Sequence, residues 1–352
     1  MRILHCIATL KGGGAEKQLC HLVRSQIQSG HIVHLAILEE GVNYDYLKST
    51  GAQIHKIAAR SNYSFRIFWH LRLIIKQNNP EIIQCWQRPM DFFGPFAAIL
   101  CRTPYIIAER TNPVKYFFSF KGLLRLFMMQ FSSAIIANSE IGRDFWKGKV
   151  INRKKLVCYI PNILPVALQY QATQSHEFDN YILSVGRLSV EKNHISLIHA
   201  FENIINPTIN LIIVGEGPEY QILIDMIREK KMTKRVKFIG YRSDVLEIMK
   251  GARGFVSLSL HEGMPNTVLE AASCQLPLLL SDIPEHRSLF FPSEALFCPP
   301  IDIQTITGLL NKLVDRHTKC FYPSLNKFSE ENIVSEYNLV YNKILFNDYS
   351  IG

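Results

Sequence analysis

Two carboxylates flank a turn in the segment Ser259-Leu260-His261-Glu262-Gly263-Met264-Pro265-Asn266-Thr267-Val268-Leu269-Glu270. Its glycine and proline favour a loop, Asn266 is a good N-cap, and residues 267–273 can form a short helix. The first backbone N–H groups of such a helix have no partner within it, so a diphosphate can dock there. We expect Glu262 to point at the hydroxyls of a sugar and Glu270, about one turn inside the helix, to accept hydrogen bonds from a ribose diol.

A second charged segment lies upstream, in Val185-Gly186-Arg187-Leu188-Ser189-Val190-Glu191-Lys192-Asn193-His194. It follows a strand-like run and precedes a helical pattern, so Arg187 and Lys192 leave the carboxyl end of a strand together. A planar guanidinium and a point-charge ammonium suit a pyrophosphate leaving group. Taken singly, either cation is more often a solvated charge, and the two glutamates are ordinary acids near a helix start. The order of the two segments together favours a sugar-nucleotide site.

Short apolar runs alternate with longer helical patterns along the chain, which predicts a parallel α/β architecture. The predicted strands are 3–8, 32–38, 54–57, 82–85, 105–108, 135–137, 157–160, 181–185, 211–214, 236–239, 255–258, 278–281 and 295–297. Two Rossmann-like sheets are the expected result. Residues 161–179 lack clear periodicity and are the best linker between the sheets.

Length and composition agree with two domains. The chain has 352 residues, of which 47% are hydrophobic and 20% charged, as in a globular protein. The scattered cysteines indicate reduced thiols rather than a disulfide framework or a zinc site. The sequence contains no run of roughly 18 apolar residues, so no membrane span is predicted. The first eight residues are better interpreted as a buried strand than as a signal peptide, so we expect a cytoplasmic protein.

A net charge of +9 fits nucleic acid, an anionic membrane surface or a phosphorylated substrate as partner. No nucleic-acid-binding motif accompanies the charge, so no nucleic-acid partner is predicted. Residues 65–76 and 115–129 mix large apolar side chains with spaced cations. Each segment fits a helix at a membrane interface or a core-facing helix with its charges in solvent, and the second interpretation is stronger for residues 65–76.

Several segments, in their order along the chain, resemble those of the retaining glycosyltransferases of family 4. They are 12–16 (Gly-Gly-Gly-Ala-Glu), 184–188, 191–193, 213–218, 238–241 and 262–270. The resemblance implies a GT-B fold of the α/β class, with two Rossmann-like domains facing a central cleft. It implies an acceptor-binding domain in 1–164, a nucleotide-sugar-binding domain in 165–332, and a C-terminal helix in 333–352 that packs back on the first domain.

The resemblance also implies an activity. It is transfer of a hexosyl or N-acetylhexosaminyl group, with retained anomeric configuration, from a nucleotide diphosphate sugar, preferably a UDP-sugar. The implied acceptor is a lipid-linked sugar in the synthesis of O-antigen or capsule, at the inner face of the cell membrane. No cofactor is implied, and the lack of an Asp-x-Asp triplet fits a metal-independent enzyme. Two alternatives remain open: a UDP-sugar epimerase of the same fold and a non-catalytic nucleotide-sugar-binding scaffold.

Site residues follow from the matching segments. The expected catalytic residues are Arg187, Lys192 and Glu262. The expected donor-binding residues are Gly13, Gly14, Gly263, Met264, Pro265, Asn266, Thr267 and Glu270. A plain strand-to-helix turn is the alternative for the glycines, and they do not fit the dinucleotide-binding pattern G-x-G-x-x-G. Arg110 and Asn112 are expected to contact the acceptor, or merely to cap and turn the chain. Many relatives carry a histidine in that region, and this chain does not.

Overall fold

Parallel strands dominate both parts of the computed structural model, which describes residues 1–59, 61–62, 64–109, 120–152, 155–164, 177–315 and 319–346. The chain divides into two units. The first comprises Met1–Ile163 with Glu330–Gly352, and the second comprises Leu164–Ser329. Each unit is built on one all-parallel sheet. An α/β chain is therefore confirmed.

The first unit carries a seven-stranded sheet in the order β3-β2-β1-β4-β5-β6-β7. Its strands are β1 (Arg2–Cys6), β2 (Ile32–Ile37), β3 (Gln53–Lys56), β4 (Ile82–Trp86), β5 (Tyr105–Glu109), β6 (Ala134–Ala137) and β7 (Leu156–Tyr159). Its helices are α1 (Gly14–Gln28), α2 (Tyr44–Ser49), α3 (Arg66–Asn78), α4 (Met90–Cys101), α5 (Phe120–Phe131), α6 (Glu140–Lys147) and, from the end of the chain, α13 (Glu330–Leu345).

Both faces of this sheet are covered by helices, which is why its strands consist of almost unbroken apolar runs. On one face, Leu19 and Val23 of α1 and Tyr341 of α13 share a core with the strands. On the other face, buried side chains of α3, α4 and α5 form a second core, to which Phe93 and Met129 belong. Helix α13 thus packs on the sheet of the first unit.

The second unit carries a six-stranded sheet in the order β10-β9-β8-β11-β12-β13. Its strands are β8 (Tyr181–Val185), β9 (Asn210–Val214), β10 (Val236–Phe238), β11 (Gly254–Ser257), β12 (Leu278–Ser281) and β13 (Leu296–Cys298). Its helices are α7 (His194–Glu202), α8 (Tyr220–Glu229), α9 (Val245–Gly251), α10 (Asn266–Ser273), α11 (Pro284–Arg287) and α12 (Ile303–Val314), with 3-10 helices at Val190–Lys192 and Pro323–Phe328.

The thirteen predicted strands are all present, with ends that differ by at most a few residues. The first of them, β1, is buried over Ile3 to Cys6, as expected for a central strand. The units meet in sequence at Ile163 and Leu164, near the start of the predicted linker, but residues 165–176 of that linker lie outside the described part of the chain. All eight cysteines lie in the described part of the chain, and none of them forms a disulfide. Among the described residues, no helix combines the length and apolar character that crossing a membrane requires.

A chain of buried polar side chains ties α13 to the first sheet. The indole N–H of Trp86 donates to Nδ1 of His5, 3.1 Å away, so Nε2 of that ring carries the proton and donates to Gln26 Oε1 at 2.8 Å. Gln26 Nε2 donates to the hydroxyl of Tyr341 at 3.1 Å, and that hydroxyl donates to Gln84 Oε1. Burial lowers the pKa of His5 to about 4, which keeps the ring neutral.

Tyr341→Phe is expected to lower the free energy of unfolding of the first unit by about 1 to 3 kcal/mol. The substitution removes one hydroxyl from a fully buried site and leaves the amide groups of Gln26 and Gln84 each short of a partner. Urea unfolding followed by fluorescence measures the change. Tyr44→Phe is the matched control, because this partly buried tyrosine packs on the same core. Equal midpoints for the two variants would contradict the prediction.

Candidate active site

Two loops at the carboxyl edge of the second sheet are joined by backbone and side-chain hydrogen bonds. One follows β8 and continues into the 3-10 helix Val190–Lys192, and the other follows β11. The Leu260 amide donates to the Glu191 carbonyl at 2.8 Å, and Asn193 Nδ2 donates to the Leu258 carbonyl at 3.2 Å. Because β8 and β11 are neighbours in the sheet, their carboxyl ends meet at one edge. The two charged segments found in the sequence therefore lie side by side.

Lys192 and Glu262 form an ion pair at this junction. Lys192 Nζ lies 2.6 Å from Glu262 Oε1, and the hydroxyl of Ser259 donates to the same oxygen at 2.6 Å. The carboxylate side chain is only 9% exposed, against 23% for the lysine. An ammonium has three N–H donors, and this pair occupies one of them. The site thus presents a fixed carboxylate and a cation with donors left for an anionic ligand.

Residues of β12 and α11 hold the loop that carries Glu262, and the sequence analysis did not identify them. The Glu262 amide donates to Glu285 Oε1 at 3.3 Å, and the Ser281 hydroxyl donates to the carbonyl of Ser259 at 2.6 Å. His286 Nδ1 lies 2.9 Å from the Ser281 carbonyl, and burial lowers the pKa of this ring. The available signal was the run Ser-Asp-Ile-Pro-Glu-His at the end of a predicted strand.

Arg187 occupies the turn after β8, and its side chain is exposed without an ion pair to any described residue. The turn is fixed by close backbone contact with the loop after β9. The Leu188 amide donates to the Glu216 carbonyl at 3.0 Å. A Cβ atom at Gly215 would stand 1.9 Å from the carbonyl oxygen of Gly186, so only glycine fits there. These contacts set where the Arg187 backbone leaves the sheet.

Helix α10 starts one residue earlier than expected. Asn266 is its first helical residue, and Pro265 occupies the N-cap without a side-chain cap hydrogen bond, so the expectation that Asn266 is the cap is wrong. Proline supplies a suitable φ and removes a donor at this point. The Asn266 amide donates to the Met264 carbonyl, and the Val268 amide donates to the Pro265 carbonyl. Among the described residues, the Thr267 amide is therefore the backbone donor of this turn that has no acceptor.

The remaining donor-side candidates belong to the same loop and helix. Gly263, Met264 and Glu270 are partly buried, and Val268 and Leu269 fill the core below them, as expected for the apolar side of the helix. Glu270 interacts with other groups of the folded chain. The structure therefore brings the candidates Lys192, Glu262, Gly263, Met264, Pro265, Asn266, Thr267 and Glu270 to one edge of the second sheet, with Arg187 on the neighbouring turn.

Gly13 and Gly14 lie in the first unit, where α1 begins. Gly13 is the N-cap and Gly14 the first helical residue. A Cβ atom at Gly13 would stand 2.5 Å from Glu16 Oε2, and Thr9 donates to the other carboxylate oxygen at 2.9 Å. The glycine therefore makes room for the carboxylate of its own helix, which lies at the positive end of the helix dipole. Donor binding by these glycines stays a prediction.

The acceptor-side residues Arg110 and Asn112 lie outside the described part of the chain. Trp86, at the end of β4 in the same unit, is completely buried and donates to His5. Its ring is part of the core of the first unit.

Comparison with known families covers almost the whole chain. Residues 12–167 match the family described as Glycosyltransferase Family 4, and residues 168–332 match the family described as Glycosyl transferases group 1. An Escherichia coli protein named UDP-Gal:alpha-D-GlcNAc-diphosphoundecaprenol alpha-1,3-galactosyltransferase is 32% identical over 292 residues, which is 76% of this chain and 74% of that protein.

One further relative and one solved structure are also similar to this chain. A Campylobacter jejuni protein named N-acetylgalactosamine-N,N'-diacetylbacillosaminyl-diphospho-undecaprenol 4-alpha-N-acetylgalactosaminyltransferase is 25% identical over 314 residues, 80% of each chain. The crystal structure of HepE from Anabaena, in complex with UDP and glucose, superposes with a TM-score of 0.83 over 96% of this chain and 98% of that one, at 18% identity. The fold of the chain is thus that of a GT-B protein.

Proposed function

Because this chain belongs to the family 4 glycosyltransferases and has the GT-B fold, we propose that it is a retaining glycosyltransferase. It transfers a hexosyl or N-acetylhexosaminyl group from a UDP-sugar to a lipid-linked sugar acceptor during the synthesis of a cell-surface polysaccharide such as O-antigen or capsule. The observation that carries the proposal is the ion pair between Lys192 and Glu262 beside the start of α10.

The charges of the second unit suit the departure of a nucleoside diphosphate. Lys192 and Arg187 stabilise the negative charge that grows on the diphosphate, and the Thr267 amide adds a donor at the positive end of α10. Glu262 accepts hydrogen bonds from the sugar hydroxyls, and Glu270 accepts them from the ribose. In each case a carboxylate, which is an acceptor only, meets a hydroxyl donor.

Retention follows when the acceptor attacks from the side of the leaving group. The acceptor oxygen forms a bond to the anomeric carbon while the bond from that carbon to the phosphate oxygen breaks. The departing phosphate oxygen takes the proton of the acceptor hydroxyl, so no separate protein base is required. This route is the one that family membership implies. It also accounts for a site in which cations lie beside positioning carboxylates, while burial lowers the pKa of His286 behind the Glu262 loop.

The names of the relatives support the choice of substrates. The Escherichia coli relative is named for a UDP-Gal donor, and both relatives are named for acceptors on a diphosphate-linked undecaprenol. We therefore propose a UDP-sugar donor and a lipid diphosphate-linked acceptor for this chain. Gly13 and Gly14 are proposed to contact the donor, and Arg110 and Asn112 the acceptor. Metal independence is part of the proposal, and we expect EDTA to leave turnover unchanged.

Thermal-shift titrations with UDP, GDP, ADP and NAD test the donor class. UDP is expected to raise the melting temperature of the wild type, because a ligand that binds only the folded chain stabilises it. Arg187→Ala is expected to remove most of that shift, since its exposed guanidinium is proposed to bind the diphosphate. Arg228→Ala on α8 is the matched control, because Arg228 is an exposed arginine of the same unit that forms an ion pair with Asp225, three residues before it.

A response to NAD alone, or to no nucleoside diphosphate, would overturn the transferase proposal. Release of UDP from a UDP-sugar only when a lipid-linked acceptor is added separates a transferase from its alternatives. A UDP-sugar epimerase converts the donor sugar without an acceptor, and a binding scaffold converts nothing.

A further inference from the structure

Three neighbouring helices of the first unit expose large apolar side chains. Trp69 and Leu73 belong to α3, Ile99 and Leu100 to α4, and Phe127 and Phe131 to α5, with exposed fractions between 43% and 59%. We call this set the α3–α5 face. A single exposed apolar residue is normal, but a continuous patch marks a surface that contacts something other than water.

On α3 the exposed pair lies away from the side of the helix that fills the core. Helix α3 buries Ile67 and Leu71 against the sheet, so the core-facing interpretation of residues 65–76 is confirmed for that side of the helix. The same helix turns Trp69 and Leu73, four residues apart, outward. The exposed apolar side chains of α3 are therefore not needed to form the core.

The three helices that carry this face pack against one another in the order α3, α4, α5. The ring of Phe68 lies 5.1 Å from that of Trp69 and 5.4 Å from that of Phe96, which joins α3 to α4. Arg125 Nε lies 2.6 Å from Asp91 Oδ2, which joins α5 to α4 through an ion pair beneath the surface. Contacts beneath the surface thus fix the three helices that carry the exposed apolar side chains.

The exposed charges of the three helices themselves are of one sign. Within residues 66–78, 90–102 and 120–131 the sequence contains a single acidic residue, Asp91, and that residue is 1% exposed. The cations include Arg72 and Lys76, which follow Trp69 at helical spacing and so share its side of α3. The Arg72 guanidinium lies over the Trp69 ring, 5.7 Å from its centre.

We propose that the α3–α5 face docks on the surface of an anionic lipid bilayer. Trp69, Leu73 and Phe127 enter the boundary between headgroups and acyl chains, where amphipathic aromatic side chains are favoured. Arg72 and Lys76 bind lipid phosphates at the edge of the inserted patch. The inference extends the proposed function, since a lipid-linked acceptor lies in a membrane, but it is argued from this surface alone.

Vesicle co-sedimentation of the full chain tests the proposal. The wild type is expected to sediment with vesicles of phosphatidylcholine and phosphatidylglycerol and to bind vesicles of phosphatidylcholine alone at least about tenfold more weakly. The double variant Trp69→Ser/Phe127→Ser and the double variant Arg72→Gln/Lys76→Gln are each expected to lower the partition coefficient on the mixed vesicles at least about tenfold.

Matched controls lie on other surfaces. Leu339→Ser removes a leucine of α13 that is 58% exposed, close to the 52% of Leu73, and is expected to leave binding unchanged. Lys48→Gln/Lys312→Gln removes two exposed helical lysines outside this face. It is the control for the variant Arg72→Gln/Lys76→Gln. An unchanged melting temperature and UDP response in every variant show that the fold is intact.

Three results would overturn the proposal. They are wild type that stays in the supernatant with both kinds of vesicle, face variants that bind as the wild type does, and a wild-type dimer that Trp69→Ser/Phe127→Ser converts to a monomer. The last result would assign the face to a second copy of the chain. A protein without transferase activity that still binds anionic vesicles through this face would overturn the proposed function and leave the present inference standing.

Discussion

Glu262→Gln is expected to lower turnover with a UDP-sugar and a lipid-linked acceptor at least about tenfold, equivalent to about 1.4 kcal/mol of transition-state stabilisation. The substitution keeps the shape of the side chain, and its amide oxygen can still accept from Ser259, but it removes the negative charge beside Lys192. If Glu262 positions the sugar, the loss appears in turnover, whereas the thermal shift by UDP, which lacks the sugar, stays near that of the wild type.

Lys192→Ala is the companion variant. It is expected to lower turnover at least about tenfold and, unlike Glu262→Gln, to weaken the UDP response as well, because the cation is proposed to bind the diphosphate. Glu229→Gln is the charge-matched control for Glu262→Gln. Glu229 is an exposed carboxylate at the end of α8 in the same unit, and its substitution is expected to retain full activity. Near-normal turnover in both Glu262→Gln and Lys192→Ala would refute the roles assigned to the pair.

Gly215→Ala is expected to destabilise the second unit by about 3 kcal/mol or more and to abolish the UDP-induced thermal shift. The added Cβ would meet the backbone of Gly186 rather than a movable side chain, and the φ of +141° at Gly215 is itself unfavourable for alanine. The loops after β8 and β9 must then separate, which displaces Arg187. Differential scanning fluorimetry with and without UDP measures both effects.

Gly308→Ala provides the matched control for this prediction. The position lies inside α12 of the same unit, and a Cβ there would have nothing within 4 Å. Alanine is favoured over glycine in a helix interior by roughly 0.5 to 1 kcal/mol, so this variant is expected to be slightly more stable than the wild type. If Gly215→Ala behaved like Gly308→Ala, the close approach of the two loops would not be a requirement of the fold.

The strands could be predicted because parallel strands covered on both faces consist of almost unbroken apolar runs, and each run is a local property of the chain. The turn residues around Gly186 and Gly263 were likewise evident, since glycine and proline restrict the backbone locally. The first helical residue of α10 was misplaced by one, because asparagine and proline both suit the start of a helix and only the folded backbone selects between them.

The sequence by itself determined which segments are strands, which loops carry charge and which family the chain resembles. The tertiary structure decided which of those loops meet. Lys192 and Glu262 are 70 residues apart, and they pair only because β8 lies next to β11 in the sheet order. The Glu285 contact, the buried chain from Trp86 to Gln84 and the α3–α5 face arise in the same way. The physical reason is that periodicity reports how one element is buried, whereas contacts between distant residues depend on the order in which elements pack.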